Sequence, residues 1–322
     1  MRGATKNRRS PMRIMVGVLC LLLAIPTLAD AAQEFEKVGT IGGQFLKIGV
    51  GARATAMGSA FVSVADDATA IYWNPAGIAR VYKNVVNVNH TSWLADISFT
   101  QAAYVFHVGF LPGTFAVNAR SLYMDSQPVR TVFRPEGEGT SFDAGDVAFG
   151  VTYARSLTDK FSAGISMNYV QSTLADYEAS AYTFDFGTLY DTGYRSLRIG
   201  MSMQNLGTRM EFIDDSVKMP ATFRVGMSMS VYEDASHRIL SAAEFSHPPD
   251  NNERANWGVE YGFKEFFFAR AGYLFQYDLE RFAAGLGFKV PSSLNSEATV
   301  DYSYQDMSDL DAVHRVSIDF RF

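Results

Sequence analysis

Cysteine, long apolar runs and basic charge are all scarce in this chain of 322 residues. Its single cysteine, Cys20, excludes internal disulfides and thiolate metal centres. The longest apolar run, residues 14–23, is too short for a spanning helix, which needs about 20 such residues. Lys and Arg number 28 against 34 Asp and Glu, and nucleic-acid binding is disfavoured because phosphate neutralisation requires a basic surface. Catalytic signatures are missing too. The five histidines, at 90, 107, 237, 247 and 314, form no H-E-x-x-H, and neither a G-x-S-x-G elbow nor a P-loop occurs. No catalytic residue, cofactor or metal is expected, although a triad assembled from neighbouring strands is defined by geometry and not by spacing.

The ends of the chain carry the first positive signals. Arg2, Lys6, Arg8, Arg9 and Arg13 precede the apolar run, and Pro26 and the small residues Thr27, Ala29, Ala31 and Ala32 follow it. That pattern predicts a secretory signal peptide over residues 1–32, cleaved between 29 and 32. Cys20 would be discarded with it; Leu19 stands where a lipid-attachment site needs a small residue. Without the five basic residues and Asp30 of that segment, 23 basic residues face 33 acidic ones. At the other end Val316, Ile318, Phe320 and Phe322 point one way, while Arg315, Ser317, Asp319 and Arg321 point the other. A strand running to a terminal aromatic needs an apolar cover, and lipid supplies one. Phe320 and Phe322 resemble the terminal assembly signal that outer-membrane barrels present to the barrel-insertion machinery.

Between the ends, fourteen alternating segments begin near residues 84, 97, 114, 143, 160, 179, 195, 220, 237, 254, 266, 281, 297 and 313. Most run ten to thirteen residues, whereas strands of globular proteins cluster near ~5–6 and tilted membrane strands need ~9–11. The longest gaps, residues 126–142 and 206–219, both fall on the outward side if the first strand runs outward, as bacterial barrels require. Phe161, Ala163, Ile165, Met167 and Tyr169 exemplify the apolar phase; Ser162, Gly164, Ser166 and Asn168 exemplify the other. Asp185, Arg198, Arg224, Glu260, Arg270, Arg281, Lys289 and Asp301 fall on the polar phase, where water or a plug must meet them. A soluble sandwich also alternates, but aromatics at 14% suit two interfacial belts. Mean hydropathy of −0.02 hides such a barrel because its two faces cancel. The expected fold is therefore all-β: a transmembrane antiparallel β-barrel of about 14 strands over residues 84–322, in the bacterial outer membrane.

Residues 33–83 differ in kind, being rich in Gly and Ala with helix signals. Asp66 reads as the N-cap of a helix through Tyr72, and Asn74 caps a second turn with Pro75 at its first position. A fourteen-strand lumen is too wide for wall side chains to fill, so this segment is expected to occupy it as a hatch. The Asp66-Asp67 pair offers a carboxylate dyad or half a cation site, but capping is the plainer use. Gly49-Val50-Gly51-Ala52-Arg53-Ala54 matches the dinucleotide fingerprint without the βαβ context that gives it meaning.

The run from Phe45 through Ile48-Gly49-Val50-Gly51-Ala52-Arg53 to Gly58, followed by Ala65-Asp66-Asp67-Ala68 and Tyr72-Trp73-Asn74-Pro75-Ala76-Gly77, resembles the PorV/PorQ family of outer-membrane proteins, related to FadL transporters. The resemblance implies a FadL-like barrel with an N-terminal hatch whose motif is Asp66, Asp67, Asn74, Pro75, Ala76 and Gly77. It also implies an accessory role in type IX secretion, binding or passing exported cargo at the translocon. The alternatives are FadL-like passage of hydrophobic small molecules, which would require an apolar pocket near Asn74, and a structural or adhesin-like barrel. Cargo binding would use the outward loops, where Met210, Phe212 and Ile213 form a candidate partner patch. Met201, Met203, Met227 and Met229 fall on the lipid phase. Asp306, Asp309 and Asp311 have calcium-like spacing but lack the Gly and Glu of a calcium loop, so a solvated acidic loop is expected there.

Overall fold

A computed structural model of the chain describes residues 41–213, 215–291 and 296–322. The expected signal peptide and the first residues of the expected hatch, residues 33–40, lie outside them. Strands alternate apolar and polar side chains from residue 85 to the terminus and pair in chain order. They are β1 (Val85–Ser92), β2 (Ser98–His107), β3 (Thr114–Tyr123), β4 (Gln127–Pro128), β5 (Ser141–Phe142), β6 (Ala144–Ser156), β7 (Phe161–Leu174), β8 (Tyr177–Asp191) and β9 (Arg198–Gly207). The order continues with β10 (Met210–Phe212), β11 (Asp215–Val217), β12 (Thr222–Glu233), β13 (His237–His247), β14 (Arg254–Phe263), β15 (Phe267–Phe275), β16 (Phe282–Pro291), β17 (Glu297–Met307) and β18 (Leu310–Arg321). β4–β5 and β10–β11 are separate hairpins, and the other fourteen strands form one closed antiparallel barrel.

Closure joins the first strand to the last, with Val86 opposite Phe320 and Val88 opposite Ile318. A closed ladder leaves no backbone edge exposed, the condition for a sheet to stand in hydrocarbon. The outer phase is exposed or partly exposed: Val88, Ile165, Met167, Leu286, Val300 and Ile318 are each between 40% and 49% accessible, the accessibility lipid would cover. Met201 and Met227 share that face. Near the end where the terminus lies, the rings of Tyr104, Phe106, Phe115 and Tyr153 follow one another at centroid spacings of 5.0–6.0 Å. Phe320 and Phe322 belong to the same belt, 5.7 Å apart. No helix among the described residues is long and apolar enough to cross a membrane.

The inner phase is polar and buried. Asp185, Glu260, Arg270 and Asp301 lie there, each 6% exposed or less. Arg281 does not: it sits exposed in the connection before β16, because that strand begins one residue later than the sequence pattern suggests. The two long outward connections are built structures. β4 and β5 extend the barrel edge into a projecting hairpin, while β10 and β11 fold back across the mouth.

Candidate functional site

The segment before β1 threads the bore from the outward mouth to the inner end. At the mouth the Gly42 amide donates to the Lys218 carbonyl at 2.9 Å, beside β11, and the Lys47 ammonium meets Asp250 at 2.9 Å. At the inner end Arg80 pairs with Asp191, which also receives Arg198 at 3.1 Å. Short helices, Ala52–Ala56 and Ala70–Trp73, and a 3-10 turn, Pro75–Arg80, lie between. Such short helices are marginal alone; here burial holds them. Phe45, Leu46, Met57, Phe61, Trp73 and Ile78 are all 2% exposed or less.

What lets this segment sit against the wall is a girdle of glycines on the inner phase. A Cβ on Gly164 of β7 would lie 2.5 Å from the Ala76 nitrogen, on Gly200 of β9 2.7 Å from the Ser63 Cα, and on Gly226 of β12 2.7 Å from Val62. On Gly272 and Gly285 it would meet Gly58 and Ala56 at 2.5 Å. Those distances are shorter than van der Waals contact, so a side chain at any of these positions would displace the plug. The alternation is legible in the sequence, but this use of its polar phase is not among the expectations above. The available signal was glycine recurring in the polar phase of successive strands. β13 contributes a carboxylate instead: Glu244 accepts the Phe61 and Val62 amides at 2.9 and 2.8 Å and Arg224 at 2.8 Å.

Arg53 is the electrostatic fastener. Its guanidinium donates to Glu260 of the wall through Nε at 2.9 Å and Nη2 at 3.1 Å, and through Nη1 to Asp66 at 2.6 Å and Asp67 at 3.0 Å. Glu260 also accepts Arg270, which reaches Asp301. Asp66 therefore caps no helix, contrary to the sequence expectation, because a guanidinium is a stronger partner than an amide end. The helix begins later, behind Thr69, and Asp67 accepts the Thr69 amide and hydroxyl at 2.9 and 2.5 Å. Burial pushes the Asp66 carboxyl up, but the Arg53 charge, helped by Arg198, outweighs it and holds the group below its ordinary value of 3.8.

Asn74 is fully buried. Its Oδ1 accepts the Ala76 amide at 3.2 Å, capping the turn that Pro75 opens, and its Nδ2 donates to the carbonyls of Val62 at 2.8 Å and Thr188 at 3.0 Å. Gly77 packs against the Ala65 carbonyl too closely for any side chain. The Asn-Pro-Ala-Gly element thus ties two turns of the plug to β8. Plug and wall backbone pack closely around Asn74: the Val62 and Thr188 carbonyls accept its amide, and Gly187 of β8 leaves no room for a side chain beside it.

A cavity lies higher, between plug and wall at the outward mouth, with a volume of about 60 Å³. Arg224, Arg254, Arg315, Trp73 and Tyr277 are among the residues lining it, so it is cationic and aromatic. The candidate partner patch is divided. Met210 is fully buried under β10–β11, half-buried Phe212 packs against the core, and only Ile213 projects, at 72% exposure. The reason is that this hairpin lies over the plug entrance, with Met210 and Val217 beside Gly42 and Met219 beside Gly43. The exposed apolar tip belongs to the other loop, where Val132 and Phe133 are 94% and 95% exposed.

The family described as type IX secretion system protein PorV matches residues 30–248, about two thirds of the chain. The chain belongs to the PorV family. Solved structures agree on the fold. The toluene transporter TbuX of Ralstonia pickettii aligns at 14% identity and TM-score 0.56, covering 85% of this chain and 98% of that one. The toluene transporter TodX of P. putida aligns at 10% identity, TM-score 0.56, with the same coverage. A Pseudomonas aeruginosa FadL homologue aligns at 11% identity and TM-score 0.52, covering 84% and 96%. No curated protein matches the sequence. This PorV-family chain is a type IX secretion-related outer-membrane barrel, and both its family and its structural neighbours are secretion or transport barrels.

Proposed function

We propose that this protein is an accessory barrel of type IX secretion that holds exported polypeptide at its outward face while its plug stays shut. One observation carries the reading: wall glycines, the Arg53 ion pairs and Asn74 fix the plug against at least seven strands. A hydrophobic solute would need that plug to shift and an apolar pocket to open. The outward surface instead offers the β4–β5 hairpin with its exposed Val132 and Phe133, an apolar tip of the kind that marks partner surfaces. No catalytic step is assigned to it.

Deleting the gene and comparing secreted proteins tests this. The expected result is loss of type IX cargo from the cell surface with unchanged uptake of toluene-like compounds. Normal secretion together with impaired uptake would favour the transporter reading, for which the fold of TbuX and TodX is the supporting observation.

A further inference from the structure

The cavity at the outward mouth is lined by arginines whose hydrogen-bonding edges are not all used, with Glu280 as the carboxylate nearest to them. Lys47 is matched by Asp250 and Arg224 by Glu244. Among the described residues Arg254 and Arg315 close no salt bridge, and the Nε–H of each has no hydrogen-bond acceptor. Arg315 is 2% exposed and makes one hydrogen bond, from Nη1 to Gln305 at 2.7 Å. The faces of both guanidiniums are already covered, Arg254 by the Tyr277 ring at 4.3 Å and Arg315 by Trp93 at 5.6 Å. What remains is their edges, where in-plane N–H groups bind planar oxyanions.

Charge and volume together define the ligand. The four cations Lys47, Arg224, Arg254 and Arg315 stand against Asp250, Glu244 and the lining Glu280, which Asp278 approaches closely enough to repel. A singly charged carboxylate is repelled less by Glu280 than a phosphate dianion would be. The cavity has room for a few waters, enough for a carboxylate and its adjoining carbon. We infer that this cavity is a carboxylate socket, in which Arg254 and Arg315 bind a carboxylate presented by an exported polypeptide. The choice of polypeptide over a free organic acid rests on the function proposed above. Trp93, Pro248 and Tyr277, from three different outward connections, border the cavity on the side that such a chain would approach.

Trp73 and Trp93 both border the site, so tryptophan quenching reports occupancy of the full chain in detergent. The probes are N-acetyl-trialanine as free acid, the same peptide as amide, acetate, and inorganic phosphate. The free acid should bind at least tenfold tighter than the amide and tighter than acetate. Arg254→Gln should abolish that preference, and Lys264→Gln at an inner turn should leave it intact. Arg254→Lys, which keeps charge but loses the fork, should fall between and serves if the glutamine variant fails to fold. Equal binding of acid and amide, or tighter binding of phosphate, would overturn the socket; acetate binding as well as the peptide would overturn its polypeptide source. Parallel copurification with secreted cargo separates the two readings. Cargo held equally by parent and Arg254→Gln would refute the socket alone, whereas peptide binding without cargo would refute the secretion role alone.

Discussion

Replacing Arg53 by alanine should unseat the plug while leaving the barrel intact. Four hydrogen bonds to three carboxylates disappear, and those carboxylates are largely buried, with side-chain exposures of 29%, 4% and 3% for Asp66, Asp67 and Glu260. Breaking a buried pair by removing one partner costs about 3–5 kcal/mol. Glu260 keeps Arg270 and Asp67 keeps Thr69, so the loss should sit near the lower bound, about 3 kcal/mol. That shifts the seated-to-displaced ratio by roughly two decades. The wall ladder is untouched, because Arg53 belongs to no strand. Hydrogen exchange over residues 52–73 should accelerate about a hundredfold in the variant with strand amides unchanged, and planar bilayers should show transient conductance absent from the parent. Arg53→Lys should give an intermediate rate, since an ammonium cannot span Glu260 and both aspartates at once. Unchanged exchange of the plug in Arg53→Ala would refute the idea that this cluster fastens it.

Acid should act through the same cluster. Asp66 titrates lower folded than unfolded, so its contribution is complete above about pH 4 and is lost as pH falls through the folded value; plug exchange should rise only below that point, and less so in Arg53→Ala. Asn74→Ala removes a cap worth about 0.5–2 kcal/mol and orphans two buried carbonyls, and is expected to cost about 2–4 kcal/mol of plug stability in chemical denaturation followed by Trp73 emission. Gly272→Val should block plug seating, because its Cβ would collide with Gly58; Ile165→Ala on the lipid face should change barrel assembly little, read by heat-modifiable mobility. Phe133→Ser should leave stability unaltered and weaken cargo copurification, a result that parent-level retention of cargo would contradict.

Alternation was sufficient to read the barrel from the chain alone. Periodicity of two, sustained over segments longer than globular strands, states which side chains meet lipid, and turn residues mark where the ladder reverses; Ile165 against Ser166, or Ile318 against Asp319, needs no tertiary information. Asn74-Pro75 could likewise be read as a cap because an N-cap acts within three residues. Contacts between distant segments could not be read this way. Asp66 has a local use as a cap and a distant one with Arg53, and only the folded bore brings Glu260 close enough to decide between them. Met210 looks like an exposed apolar residue until its hairpin folds over the plug, and Arg254 and Arg315, 61 positions apart, share a cavity because barrel closure curves β14 and β18 around one mouth. Local sequence fixes which face a residue takes; the curvature of the closed sheet and the path of the plug decide what that face meets.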